Sequence, residues 1–243
     1  SKDKLAEDLG GRPLLVRTVE FFTKREDVQE IIVAGPENDF PAFQERFGPS
    51  LAFHAVIITK GGSTRSITVK NALSKVSETI DIVVVHDAAR PAITNALFDA
   101  LLVACATFPA VTPALPINGT LKRTRSKAES VVDEDVIADS ILGADSQTSI
   151  KAFKVEETVD RSNLWEIQTP QCFELSLLKR AYSKEDIENC TDDAQVVEKI
   201  GEAVYLINGD SRNIKVTTLE DFKLVKAILG LKGKTERPAH KRF

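Results

Sequence analysis

Apolar residues recur along this chain in two alternating rhythms. Leu14 to Phe22 carries them at helical spacing, and the preceding Gly10-Gly11-Arg12-Pro13 reads as a turn with proline in the first helical turn. Ile31 to Gly35 is a short apolar run and predicts a buried strand; Asp39 to Phe47 predicts a helix and Val56-Ile57-Ile58 a second strand. Ser66 to Val76 reads as an amphipathic helix with Ile67, Val69, Ala72 and Leu73 as its apolar residues. Ile82-Val83-Val84-Val85 is wholly β-branched, the composition of a central parallel strand covered on both faces. Leu97 to Phe108 then predicts a helix and Ala110 to Leu115 a strand, so the first half reads as a doubly wound, mostly parallel α/β sheet.

From Ile117 to Asp160 the pattern changes to polar, Thr/Ser/Asp/Glu-rich sequence with alternation such as Ala152-Phe153-Lys154-Val155-Glu156. This predicts an extended β-arm over 117–160 with little core of its own, which would pack on a second copy of the chain and make a homodimer. Helices are expected again at Leu175–Tyr182 and Asp193–Ile200, and a strand at Val204–Ile207. Thr218-Leu219-Glu220-Asp221 has the form of a capping box opening a last helix to Leu229. Residues 232–243 are basic and aperiodic and read as a flexible, solvated tail. The whole of 1–243 is read as one domain with a protruding arm.

Composition narrows the function. With 243 residues, 42% hydrophobic, the chain can bury the core of one large domain. A net charge of -4 and pI of 5.6 argue against a general nucleic-acid binder. Cys105, Cys172 and Cys190 lack disulfide or zinc spacing and suit a reducing cytoplasm; no apolar run reaches membrane-spanning length. The chain starts at Ser1 and contains no methionine, which raises the expectation of residues missing from its start.

In open α/β sheets ligands bind beyond the carboxyl ends of strands. After Val85 comes His86-Asp87-Ala88-Ala89-Arg90-Pro91, where Asp87 could hold Mg²⁺ and Arg90 a phosphate. The plainer reading is a loop salt bridge between them, with His86 fixing the loop by hydrogen bonds.

That hexapeptide resembles the signature of the 2-C-methyl-D-erythritol 4-phosphate cytidylyltransferases. Ordered matches run along the chain: Lys4 with Gly10–Pro13, Gly61-Gly62 with Arg65, Thr68 and Val69, Thr120–Arg123, Val159–Arg161, Gln168–Gln171, Thr191–Ala194, and Gly209-Asp210 with Asn213–Thr217. The resemblance implies a Rossmann-like nucleotidyltransferase that joins CTP to 2-C-methyl-D-erythritol 4-phosphate and releases pyrophosphate, with Mg²⁺ or another divalent cation. It implies Lys4 and Lys215 as catalytic cations, Gly62, Arg65, Thr68 and Asp87 around CTP, and Asp87 on the metal. Arg90, Thr169 and Thr191 would surround the polyol phosphate, with Thr120 and Arg161 reaching it from the partner's arm. Without the resemblance, Lys4 and Lys215 read as surface lysines, Gly61-Gly62 as a strand-to-helix turn, and Thr191 as a helix N-cap.

The chain departs from the family pattern in four places, one of them Thr68, which replaces a common Ser and keeps the hydroxyl. The family's Ala-Ala-Gly-x-Gly-x-Arg loop, which cradles the triphosphate, is expected before Ser1. Gly119 stands where Asp is common, and Asp133 to Thr148 is long. Two rivals remain: a ribitol 5-phosphate cytidylyltransferase, and a non-catalytic nucleotide-binding module. The cytoplasm is the expected compartment, or a plastid if the source is a plant or alga.

Overall fold

The computed structural model describes residues 3–125, 129–131, 150–184 and 186–231. The stretch Asp133 to Thr148 and the tail 232–243 lie outside them. In chain order the strands are β1 (Ile32–Gly35), β2 (Ile57–Lys60), β3 (Ile82–Val85), β4 (Ala110–Pro116), β5 (Leu121–Thr124), β6 (Glu129–Val131), β7 (Ile150–Ala152), β8 (Val155–Val159), β9 (Trp165–Ile167), β10 (Gln171–Glu174) and β11 (Tyr205–Asn208). The α-helices are α1 (Leu14–Thr23), α2 (Phe40–Phe53), α3 (Arg65–Leu73), α4 (Asn95–Cys105), α5 (Leu175–Tyr182), α6 (Asp193–Glu198) and α7 (Leu219–Ile228). No helix of the described residues is long and apolar enough to cross a membrane.

Contacts divide the chain into two units, Ser1–Leu115 with Ile167–Phe243, and Pro116–Glu166. In the first, β1 and β2 pair in parallel, as do β4 and β11, giving the parallel-strand α/β layering that the alternating sequence predicts. Helix α1 turns Leu15, Val16 and Val19 onto Phe43, Phe47 and Leu51 of α2. Helix α5 buries Leu175, Leu177, Leu178 and Ala181 against Phe173, Val196 and Val197. Helix α7 opens with the capping box, Thr218 and Asp221 each accepting the other's backbone N–H.

Two expectations are corrected, and one strand is added to them. β3 is not a central parallel strand: it runs antiparallel to β10 and ends the hydrogen-bonded order β11-β4-β10-β3. Its β-branched run meets instead a cavity of about 650 Å³ bounded by β1 and β3 and by α1, α3 and α4. β10 itself gives no periodicity to find, because Gln171-Cys172-Phe173-Glu174 is four residues long and leads straight into α5. Finally, α2 runs to Phe53, six residues beyond the predicted Phe47, with Pro49 inside it.

In the second unit β5 and β8 pair antiparallel, Leu121 opposite Val159. Arg123 meets Glu157 at 2.6 Å and Arg125 meets Glu156 at 3.4 Å, each side chain about half-exposed. Lys122 Nζ donates to Thr158 Oγ1 at 2.6 Å. β6 and β7 make a second antiparallel pair.

Candidate active site

β3 delivers the His86–Pro91 loop, and a chain of hydrogen bonds fixes it. His86 Nε2 lies 3.0 Å from the Arg90 carbonyl, which can only accept, so Nε2 carries the proton and Nδ1 accepts from Thr169 Oγ1 at 3.2 Å. The same Thr169 oxygen accepts the Asp87 N–H at 2.9 Å. Burial lowers the His86 pKa to about 4, so the ring is neutral and structural, as its place at a strand end suggests.

Polar groups from distant segments close around this loop. The Arg90 guanidinium is 8% exposed and donates to the Asn213 carbonyl at 2.7 Å and toward Asp87 at 3.4 Å. Gln168 is buried and pairs twice with the Asp210 backbone, while Asn213 Nδ2 donates to the Thr169 carbonyl at 2.7 Å. This pins the segment after β11 so that Lys215 Nζ comes 3.0 Å from Asp87 Oδ2. Burial pushes the Asp87 carboxyl up, but Lys215, Arg90 and Arg65 outweigh it and hold the group below its ordinary value.

The loop after β2 is built on close backbone approach. A Cβ on Gly61 would stand 2.5 Å from the Gly35 carbonyl oxygen, and one on Gly62 would run into Ile67. Thr64 caps α3 by accepting the Ile67 N–H, and Thr68 Oγ1 accepts the Gly62 N–H at 3.0 Å while donating to the Thr64 carbonyl at 2.8 Å. Arg65 leaves the first turn of α3 and meets the fully buried Asp193 at 2.6 Å. Arg65, Thr68 and Asp87 all line the 650 Å³ cavity, as does Leu5 beside Lys4.

The structure therefore brings Gly62, Arg65, Thr68, Asp87, Arg90, Thr169 and Lys215 to the carboxyl ends of β2 and β3. Lys4 is exposed on a single 3₁₀ turn, Lys4–Ala6, whose Leu5 packs between two core clusters. Thr191 is not the N-cap: Asp192 accepts the Gln195 N–H, and Thr191 bonds instead to the Gln195 side chain. Thr120 and Arg161 belong to the second unit, where the β5–β8 register sets them at the same end of the ladder. Gln168, Asn213 and Asp193 lie inside the quoted motifs, and only the fold shows the groups that they satisfy.

Among the described residues no group of three or more His, Cys, Asp or Glu side chains could hold a metal. A cation at Asp87 would take one carboxylate and fill its remaining positions with phosphate oxygens and water, a common arrangement for Mg²⁺.

A sequence model of the 2-C-methyl-D-erythritol 4-phosphate cytidylyltransferases matches residues 1–140 and 131–231. Curated relatives with that name include one from Geobacillus kaustophilus, 35% identical over 228 residues, covering 91% of this chain and 86% of the relative. Another, from Bacillus mycoides, is 33% identical over 235 residues, covering 96% and 92%. A crystal structure described as 4-diphosphocytidyl-2C-methyl-D-erythritol synthase superimposes with a TM-score of 0.72 at 30% identity, covering 93% of this chain and 94% of the other. The Thermus thermophilus 2-C-methyl-D-erythritol 4-phosphate cytidylyltransferase gives 0.70 at 26% identity, covering 95% of each. Sequence, fold and the ordered polar loops agree, and this chain belongs to the 2-C-methyl-D-erythritol 4-phosphate cytidylyltransferase family.

Proposed function

We propose that this chain transfers the cytidylyl group of CTP to 2-C-methyl-D-erythritol 4-phosphate, releasing pyrophosphate, as a step of isoprenoid biosynthesis. The observation that carries the reading is the Lys215–Asp87 contact, with Arg90 and Arg65 beside it, assembled at a strand end from segments far apart in sequence.

A phosphate oxygen of the polyol attacks the α-phosphorus of CTP in line; a new P–O bond forms and the bond to pyrophosphate breaks. Two anions must meet, so cationic side chains that neutralise and align them supply most of the catalysis. Lys215 neutralises charge at the α-phosphate, and Lys4 does so along the triphosphate. Arg65 and the Gly62 backbone contact the nucleotide. Thr68 and Thr169 act by holding their loops: the Thr68 hydroxyl bridges two backbone groups, and that of Thr169 links the Asp87 N–H to the His86 ring. Arg90 and Thr191 face the polyol phosphate, joined by Thr120 and Arg161 of the partner subunit. Asp87 would hold Mg²⁺, which would supply charge neutralisation at the nucleotide phosphates.

The three buried free cysteines suit a reducing compartment, the cytoplasm or a plastid. The test is pyrophosphate release with CTP, Mg²⁺ and either 2-C-methyl-D-erythritol 4-phosphate or ribitol 5-phosphate. Higher kcat/KM with the former is expected. A preference for ribitol 5-phosphate overturns the substrate, and silence with both favours a non-catalytic module.

A further inference from the structure

Asp193 opens α6 with no solvent exposure, yet three polar groups converge on it. Its Oδ2 accepts from Arg65 Nη2 at 2.6 Å, and its Oδ1 accepts from the buried Tyr182 hydroxyl at 2.5 Å. Its backbone N–H donates to Gln171 Oε1 at 3.2 Å, and the Ala194 N–H shares that acceptor at 3.1 Å. Gln171, fully buried on β10, completes the clamp by donating from Nε2 to Asp192 at 2.9 Å. The start of α6 is thus bolted to the sheet, and the carboxylate has little freedom to turn.

Burying an ion pair is weak evidence of a stabilising purpose, since well-packed apolar groups commonly do as well. The arrangement does something an apolar contact cannot: it holds a guanidinium by one of its two terminal nitrogens. The other, Arg65 Nη1, is buried with no hydrogen-bond partner, on a side chain that lines the cavity with Thr68 and Asp87. A desolvated donor without an acceptor is costly and gains most from a ligand that supplies one. Arg65 also reaches Asp87 electrostatically, which places it in the same field as Lys215.

We propose that Asp193, backed by Tyr182 and Gln171, is a positioning residue that aims Arg65 Nη1 at an oxygen acceptor of the nucleotide. Burial and the facing carboxylate both raise the Tyr182 pKa, so the phenol stays a neutral donor that can restrain the carboxylate at any working pH. The inference rests on the reading that Arg65 contacts CTP, and the test separates the two.

Arg65→Ala, Asp193→Asn, Tyr182→Phe and the Arg65→Ala/Asp193→Asn double variant would be compared for KM of each substrate, kcat, calorimetric CTP affinity and melting temperature. Arg65→Ala should weaken CTP binding about tenfold, the scale of one charge-assisted hydrogen bond, with the polyol phosphate KM unchanged. Asp193→Asn should shift the same quantity in the same direction, and the double variant should be no worse than Arg65→Ala alone, as expected when one residue acts through the other. Unchanged CTP affinity in Arg65→Ala overturns the placing of Arg65 at the nucleotide. A weakened Arg65→Ala beside an unaffected Asp193→Asn, or effects that multiply in the double variant, overturns the positioning role alone. Should Asp193→Asn fail to fold, Tyr182→Phe decides: it removes one hydroxyl, and CTP affinity equal to that of the unaltered protein overturns the proposal.

Discussion

At the scale of single residues, chemistry and scaffolding are divided among side chains that look equivalent in sequence. His86 and Thr169 are spent on one another and on the backbone of Arg90 and Asp87, whereas Lys215 is half-exposed and faces Asp87. Lys215→Ala should therefore lower kcat by at least about a hundredfold, the effect of losing one transition-state electrostatic contact, measured as pyrophosphate release. Near-normal turnover would remove Lys215 from catalysis. His86 governs stability instead. Its folded pKa, about 4, lies below its ordinary 6.5, so the unfolded chain takes up the proton first. The stabilising neutral state is intact above pH 6.5 and its contribution drains away as pH falls toward 4. Melting temperatures across that window should drop less steeply in His86→Gln than in the unaltered protein.

At the scale of elements, the loops that carry the site are held by close backbone approach and by caps. Gly61→Ala forces a methyl group against the Gly35 carbonyl and should destabilise the fold by about 1–3 kcal/mol, the usual range for overpacking, read by denaturant melts. Thr218→Ala should cost about 1 kcal/mol by removing one arm of the α7 capping box, with kcat unaltered. Most helices and the strands β1, β2, β4 and β11 could be read from the chain because each has its own period and end signals. β10 could not, because four residues with buried Gln171 at their head give no alternation. The place of β3 was misread for a related reason: Ile82–Val85 reports that a strand is apolar, while which strand lies beside it depends on contacts far away in sequence. The loop motifs after β2 and β3 were legible as segments at strand ends, which is where they lie. The service of Gln168 and Asn213 as internal braces was not, since only the fold reveals which backbone groups they satisfy.

At the scale of the molecule, the residues proposed to bind the substrates are drawn from both units, Thr120 and Arg161 from Pro116–Glu166 and the others from the larger unit. If two copies exchange arms, mixing Arg161→Ala with Lys215→Ala subunits should regain activity that neither parent shows, because one of the two mixed sites is then intact. No gain over the parents would sink the exchange. The β5–β8 ladder adds a consequence of its own. Its Arg123–Glu157 and Arg125–Glu156 pairs stand in solvent, where such contacts contribute little and a Debye length of about 3 Å in 1 M salt largely cancels them. Concentrated electrolyte should thus loosen this ribbon before it touches the apolar layers, and amide exchange at Lys122–Thr124 should quicken while that of Phe173 stays slow.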